Sequence, residues 1–292
     1  MKRTLWLGAL LAIYLVGGCT NQQADKESEK VRVVVTIPPQ AEFAEKVGKD
    51  RVEVTVMVPP GASPHTYEPT PSQLTKVSNA HLYAVVGSGI EFELAWMDKI
   101  IGMNENMVIV DCSQGIELIR EHEDKEHEHY GHEGYDPHIW LSPKNAVIMV
   151  ENIYQGLIQI DAENKEYYTQ NKNEYVKELN DLDEEIAEAL SGKENRKIMV
   201  YHPSWAYFCR DYRLQQIPIE KEGKEPTPQG IAHLIQQAKE NNITVIFASP
   251  QFNTESAEVI TREIGGTVVL IDPLEKDYTE NIRKVAEAFA EV

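Results

Sequence analysis

The sequence predicts an α/β protein of two doubly wound parallel-sheet lobes, joined by one long rigid helix, with a cleft between the lobes. Three observations carry that prediction. Short apolar runs alternate with helical segments on both sides of residue 142, the pattern of strand–helix units that build parallel sheets. Between the two alternating regions lies a proline-free helical stretch of about thirty residues. At 292 residues the chain is long enough for two cores.

Lys2 and Arg3 precede an apolar run from Leu5 to Val16, which ends in VGGC at Cys19. A charged start, a short apolar core and small residues before a cut make a secretory signal peptide over 1–18, too short for a membrane span. Cys19 stands where a bacterial-type lipobox places its acylated cysteine. The polar TNQQADKESEK that follows gives a flexible, lipid-anchored tether over 19–30. The mature protein is therefore expected at the cell membrane, on its extracytoplasmic face, held to the membrane through the lipid anchor. Cys112 and Cys209 are read as buried thiols.

Residues 31–141 are expected to form the first lobe. VRVVVTI (31–37) is a nearly continuous apolar run, as in a strand buried on both faces. QAEFAEKV reads as a helix that stops at Gly48. Val52, Val54, Val56 and Val58 alternate with Glu53, Thr55 and Met57, the period of a strand. Next comes GASPHTYEPTPSQL (61–74), a loop stiffened by Pro64, Pro69 and Pro71. Thr70 is placed as N-cap, Pro71 at the first helical position and Gln73 at the capping-box position. The strands LYAVVG (82–87) and MVIVD (107–111), with the helix EFELAWMDKI between them, complete the lobe.

Residues 142–192 form a helical connector. Ser142 and Pro143 open its first helix. Asp161 is expected to cap a second helix that runs to Gly192, roughly 45 Å at 1.5 Å per residue. Val176, Leu179, Leu182, Ile186 and Leu190 keep to one side of it. The second lobe, 193–292, repeats the grammar of the first. Strand KIMVY leads to HPSW and helix AYFCRDY, a Thr-Pro start opens TPQGIAHLIQQAKENN, and strands TVIFA and TVVLI flank helix TESAEVITREIG before a final helix near 278–290. No phosphate-binding glycine loop is present.

The balance of 28 basic against 47 acidic residues, a net charge of -19, repels a phosphate backbone and excludes nucleic acid as a partner. It favours cations. His65 follows the strand at 52–58, His202 directly follows KIMVY, His138 precedes a capped helix in DPHIWLSP, and Asp272 directly follows TVVLI. Ligands of open α/β sheets collect beyond the carboxyl ends of the strands, so groups this far apart in sequence can converge there. More than sixty residues separate each from the next, which rules out a compact zinc finger and suits a metal cleft fed by both lobes. Three imidazoles and one carboxylate form a borderline-soft set that suits Zn²⁺ and accepts Mn²⁺ less well. Singly, each has an ordinary alternative: His65 as a turn residue, His138 as partner of Asp136, His202 at a helix start, and Asp272 as turn chemistry before proline. Glu275 or Glu68 is an alternative to Asp272.

PGASPHTYEPTPSQL, DPHIWLSP, YHPSWAYFCRDY, KEPTPQGI and IDPLE together resemble the zinc/manganese substrate-binding lipoproteins of metal ABC transporters (ZnuA-like), over residues 31–292. The resemblance implies a high-affinity extracytoplasmic metal-binding protein, not an enzyme, that delivers its ion to an ABC transporter permease and acts as a monomer. It places His65, His138 and His202 as ligands with Asp272 at the carboxylate position, and makes the long helix a spine that limits lobe closure. His202, where manganese- or iron-type members carry Glu, puts the chain with the zinc type. Pro64 departs from zinc proteins that carry a Glu before the first histidine. A manganese-binding member and a surface adhesion lipoprotein are the alternatives within this fold, and a zinc hydrolase is the rival outside it, although no HExxH pattern occurs.

Between the first lobe and His138 lies REHEDKEHEHYGHEGYDPH, with His122, His127, His129 and His132 among acidic residues. That composition builds no core, so 121–134 is expected to be a surface loop offering weak auxiliary metal capture.

Overall fold

The computed structural model of the chain describes residues 30–120, 134–193, 196–221 and 223–292. The signal and tether, Cys19, and the histidine-rich segment with His122, His127, His129 and His132 lie outside the described residues.

In the first lobe, β1 (Val31–Val35), β2 (Val52–Val56), β3 (Leu82–Val85) and β4 (Val108–Asp111) form one parallel sheet in the order β2-β1-β3-β4. Central β3 is an unbroken apolar run, and β1 is one but for Arg32, because both of their faces are covered. Val33, Val35, Leu82 and Ala84 face α1 (Pro38–Gly48) and α4 (Pro143–Ile160), whereas Val34, Tyr83 and Val85 face α2 (Pro71–Val77) and α3 (Glu91–Met103). Gly156 lets α4 lie close on this sheet, since a Cβ there would stand 2.4 Å from Val110 Cγ2. The first half of the expected connector is thus also the outer layer of the first lobe.

The second sheet, of β5 (Lys197–Val200), β6 (Gln215–Pro218), β7 (Val245–Ala248) and β8 (Thr267–Leu270), has the matching order β6-β5-β7-β8, again all parallel. α6 (Ala206–Tyr212) and α9 (Tyr278–Ala290) cover one face, and α7 (Pro228–Glu240) and α8 (Glu255–Ile264) cover the other. Sequence reading misses β6. QQIP is short and polar, lies at the sheet edge and ends in proline, so it shows neither apolar run nor alternation. Pairing with β5 makes it a strand.

The long helix α5 spans Lys165–Ala189, 25 residues rather than about thirty. The Asp161 carboxylate accepts from Asn164 Nδ2 at 2.8 Å and from Tyr168 Oη at 2.7 Å instead of from a backbone N–H. The segment 162–164 is therefore a 3₁₀ turn ahead of the helix. The buried stripe of α5 is Tyr168, Asn171, Tyr175, Leu179, Leu182 and Ile186. Its first half serves the first lobe, with Asn171 Nδ2 donating to Val47 O at 3.0 Å and Tyr175 Oη to Glu42 at 2.8 Å. Its second half serves the second lobe, where Tyr212 Oη donates to Asp183 at 2.7 Å and Arg283 pairs with Glu185 at 3.0 Å. One apolar cluster runs from β1 and β3 through α4 and α5 to Phe208, Phe247 and Phe289, so the lobes share a core along this spine.

The segment after β8 is fastened to the first lobe. Trp140 Nε1 donates to Pro273 O at 2.7 Å, Lys276 pairs with Glu45 at 2.8 Å, and the buried Glu42 carboxyl accepts from Tyr278 N at 2.6 Å. Cys112 and Cys209 are free and buried, and burial pushes the Cys209 thiol up to about 12.

Candidate metal centre

His65 sits in the stiff loop between β2 and α2. The expected capping box anchors this loop: Thr70 Oγ1 accepts from Gln73 N at 3.3 Å and Gln73 Oε1 accepts from Thr70 N at 2.9 Å. Pro64 O accepts from Phe92 N at 3.0 Å, which ties the loop to α3. His138 precedes α4 and is 5% exposed. Its backbone is clamped on both sides, Pro137 O accepting from Ser88 Oγ at 2.6 Å and Asp136 O from Tyr207 Oη at 2.8 Å. His202 leaves the end of β5 at the point where the strand order reverses between β5 and β7, the usual ligand crevice of such sheets. In the first lobe that crevice is filled by the protein itself. The buried Glu93 carboxyl accepts there from Thr36 Oγ1, Val86 N and Gly87 N, and burial pushes it up to about 7 against the lowering by these donors.

The three rings meet. One ligating atom from each of His65, His138 and His202 lies within 4.8 Å of the other two, and no other such group occurs among the described residues. Each Nδ1 faces a carboxylate: His65 to Glu91 at 2.6 Å, His138 to Asp136 at 2.9 Å and His202 to Glu220 at 3.0 Å. A carboxylate accepts only, so each neutral ring carries its proton on Nδ1 and leaves the Nε2 lone pair free. The Nε2 atoms of His138 and His202 are 3.3 Å apart. Two lone pairs at that distance repel unless a cation lies between them. Zn–N bonds of about 2.0–2.1 Å in a tetrahedral site put two nitrogens about 3.3–3.4 Å apart, so the spacing fits Zn²⁺.

Burial holds His202 below the usual imidazole value of 6.5, and neighbouring His138 and His65 add to that, with Glu220 opposing. At Glu91 burial pushes upward, yet the hydrogen bond and charge of His65 outweigh it and the carboxyl lies below its usual range. The walls are Ser63, Pro64, Trp140, Phe252, Pro273 and Leu274, with the Phe252 ring stacked on His202 at 4.7 Å. The cavity is about 10 Å³, room for one water-sized particle.

Asp272 is not brought into this group. Its Oδ1 accepts from Gln251 Nε2 at 2.7 Å and from Leu274 N at 2.8 Å. Glu68 and Glu275 are exposed and stand outside the group as well. Sequence reading misses Glu91, Glu220, Gln251 and Phe252. Only Asp136 carries a local signal, two residues before His138. Asp136→Ala is expected to weaken Zn²⁺ binding about 10- to 100-fold in a chelator competition, because the most buried ring loses the group that sets its tautomer and angle.

A family profile described as zinc-uptake complex component A, periplasmic (ZnuA) matches residues 33–292. The high-affinity zinc uptake system protein ZnuA of Bacillus subtilis (strain 168) is 33% identical over 273 residues, covering 89% of this chain and 85% of that protein. The zinc-binding lipoprotein AdcA of Streptococcus pneumoniae is 30% identical across 100% of this chain, which spans 58% of the length of that relative. A crystal structure of a ZnuA is 42% identical and superposes with a TM-score of 0.84, over 90% of this chain and 99% of that one. With the profile matched from β1 to the final residue and the same two-lobed architecture, the chain belongs to the family of zinc-uptake complex component A, periplasmic.

Proposed function

We propose that the protein is the extracytoplasmic receptor of a zinc importer, which takes up Zn²⁺ on His65, His138 and His202 and hands it to an ABC transporter permease. The observation that carries this reading is the convergence of three imidazoles from two lobes, each with Nδ1 on a carboxylate and one ring nitrogen within 4.8 Å of the other two. The nitrogen donors favour Zn²⁺ over Mn²⁺, which prefers oxygen. The relatives named for zinc uptake and zinc binding support the same choice.

Two ligands belong to the first lobe and one to the second, so parting the lobes removes His202 and leaves a two-nitrogen remnant that holds the ion weakly. The shared core along α5 restricts that movement. Glu91, Asp136 and Glu220 are all engaged as histidine partners, which supports a carrier of the ion over a zinc hydrolase, whose chemistry requires a free general base. Cys19 would tether this receptor to the membrane, and the histidine-rich segment would supply loosely held ions to the cleft. Among the described residues no helix is long and apolar enough to cross a membrane.

The test is proton competition. A ring binds the ion only when neutral. Because the value of His202 is depressed, its contribution to binding is complete above pH 6.5 and is lost as the pH falls through that lower value. Zn²⁺ affinity is expected to fall as the pH drops through the depressed His202 value, by up to about tenfold per pH unit for that ring. Chelator competition from pH 8 to pH 5 measures it. A pH-independent affinity would remove the imidazoles as ligands.

A further inference from the structure

Gln251 follows β7 and lines the same cavity as the three histidines. Its Nε2 donates to Asp272 Oδ1 at 2.7 Å. That carboxylate oxygen can only accept, so it fixes which end of the amide is nitrogen and leaves Oε1 on the other branch. Oε1 is shielded from solvent and has no donor among the described residues. Asp272 is itself braced, its Oδ1 by Leu274 N at 2.8 Å and its carbonyl by Asn281 Nδ2 at 2.7 Å. The amide is thus held by a fixed carboxylate through its nitrogen, with an unsatisfied acceptor on its other branch in a residue that lines the histidine cavity.

A buried acceptor without a donor is unfavourable, and such groups are kept where something else supplies the donor. Three histidines leave one position of a tetrahedral zinc ion to be filled. Water on a divalent cation is a strong donor, and its lone pair is already committed to the metal. An amide oxygen is a poor competitor with water as a direct zinc ligand but a good acceptor of that water's proton.

We propose that Gln251 Oε1 accepts a hydrogen bond from the water that completes the coordination of the bound Zn²⁺. Asp272 is then a positioning residue that orients the Gln251 amide, and not a ligand. The inference rests on the zinc reading above.

The experiment compares the full chain with Gln251→Met, Gln251→Glu, Asp272→Asn and the double variant Gln251→Met/Asp272→Asn. Zn²⁺ affinity is measured by chelator competition, and the visible bands of the Co²⁺-loaded protein report the donor set at the ion. Gln251→Met, similar in size and lacking the acceptor, is expected to weaken Zn²⁺ about 3- to 10-fold and to shift the Co²⁺ bands. Gln251→Glu, sharing a proton with Asp272 and keeping an acceptor oxygen, is expected to stay within about twofold of wild type, with its bands in place. Asp272→Asn is expected to cost no more than Gln251→Met, and the double variant no more than that single one.

Wild-type affinity in Gln251→Met overturns the proposal, as does an equal loss in Gln251→Glu. An Asp272→Asn loss that exceeds that of Gln251→Met and adds to it in the double variant makes Asp272 a ligand and overturns it too. His202→Ala separates the two readings. If that variant binds Zn²⁺ as tightly as wild type, the zinc site itself is wrong; if it fails to bind while Gln251→Met is silent, only the present inference falls.

Discussion

His202→Ala is expected to weaken Zn²⁺ binding by about a hundredfold or more. Structural zinc binding is worth about 10–16 kcal/mol over four ligands, so one ligand accounts for roughly 3 kcal/mol, which is about two decades in affinity. His202 is the proposed ligand from the second lobe, and its loss leaves only the two imidazoles of the first lobe. The substitution also leaves Glu220, 4% exposed, without its imidazole partner. Two measurements check this. Chelator competition reads the affinity, and a thermal scan with and without Zn²⁺ reads the stabilisation by ligand, which should shrink with the affinity. An unchanged zinc-induced shift would mean the ion sits elsewhere.

Glu42→Ala is expected to destabilise the protein by about 3–4 kcal/mol, with a fall in Tm of roughly 6–16 °C. Glu42 is 8% exposed and belongs to α1, yet the donors to its carboxyl come from two other elements: Tyr175 Oη of α5 at 2.8 Å, and Tyr278 N at 2.6 Å with Thr279 Oγ1 at 3.3 Å at the start of α9. Truncation strands a buried hydroxyl and a buried helix-start N–H, each costing about 1–3 kcal/mol. Glu45→Ala is the control. It breaks the neighbouring Lys276 pair, whose side chains are 44–45% exposed, and an exposed ion pair is worth under about 1 kcal/mol. Equal losses in the two variants, read by calorimetry, would refute the view that the buried carboxyl holds the lobes together.

Much of this site is legible in the amino-acid sequence. The Thr70–Gln73 capping box and the Ser142 cap are local devices, completed within three residues, and both occur where the sequence places them. Central strands are legible as nearly continuous apolar runs, because burial on both faces leaves little room for polar alternation. The three histidines stood out because each occupies a junction beside a helix or strand terminus. β6 did not, since an edge strand of QQIP is a strand only by virtue of its neighbour.

The amino-acid sequence by itself determined the two α/β lobes, the spine helix and the imidazole chemistry of the cleft, because apolar periods and caps act over a few residues. Tertiary structure alone decided that both sheets share one strand order. It also assigned Glu91 to His65 and Glu220 to His202, across 26 and 18 residues. The same is true of Asp272, a candidate ligand in the sequence, whose Oδ1 accepts in the fold from Gln251 and Leu274. A carboxylate's partner depends on strand register and on which loop lies across from it, and those are settled only when distant segments pack.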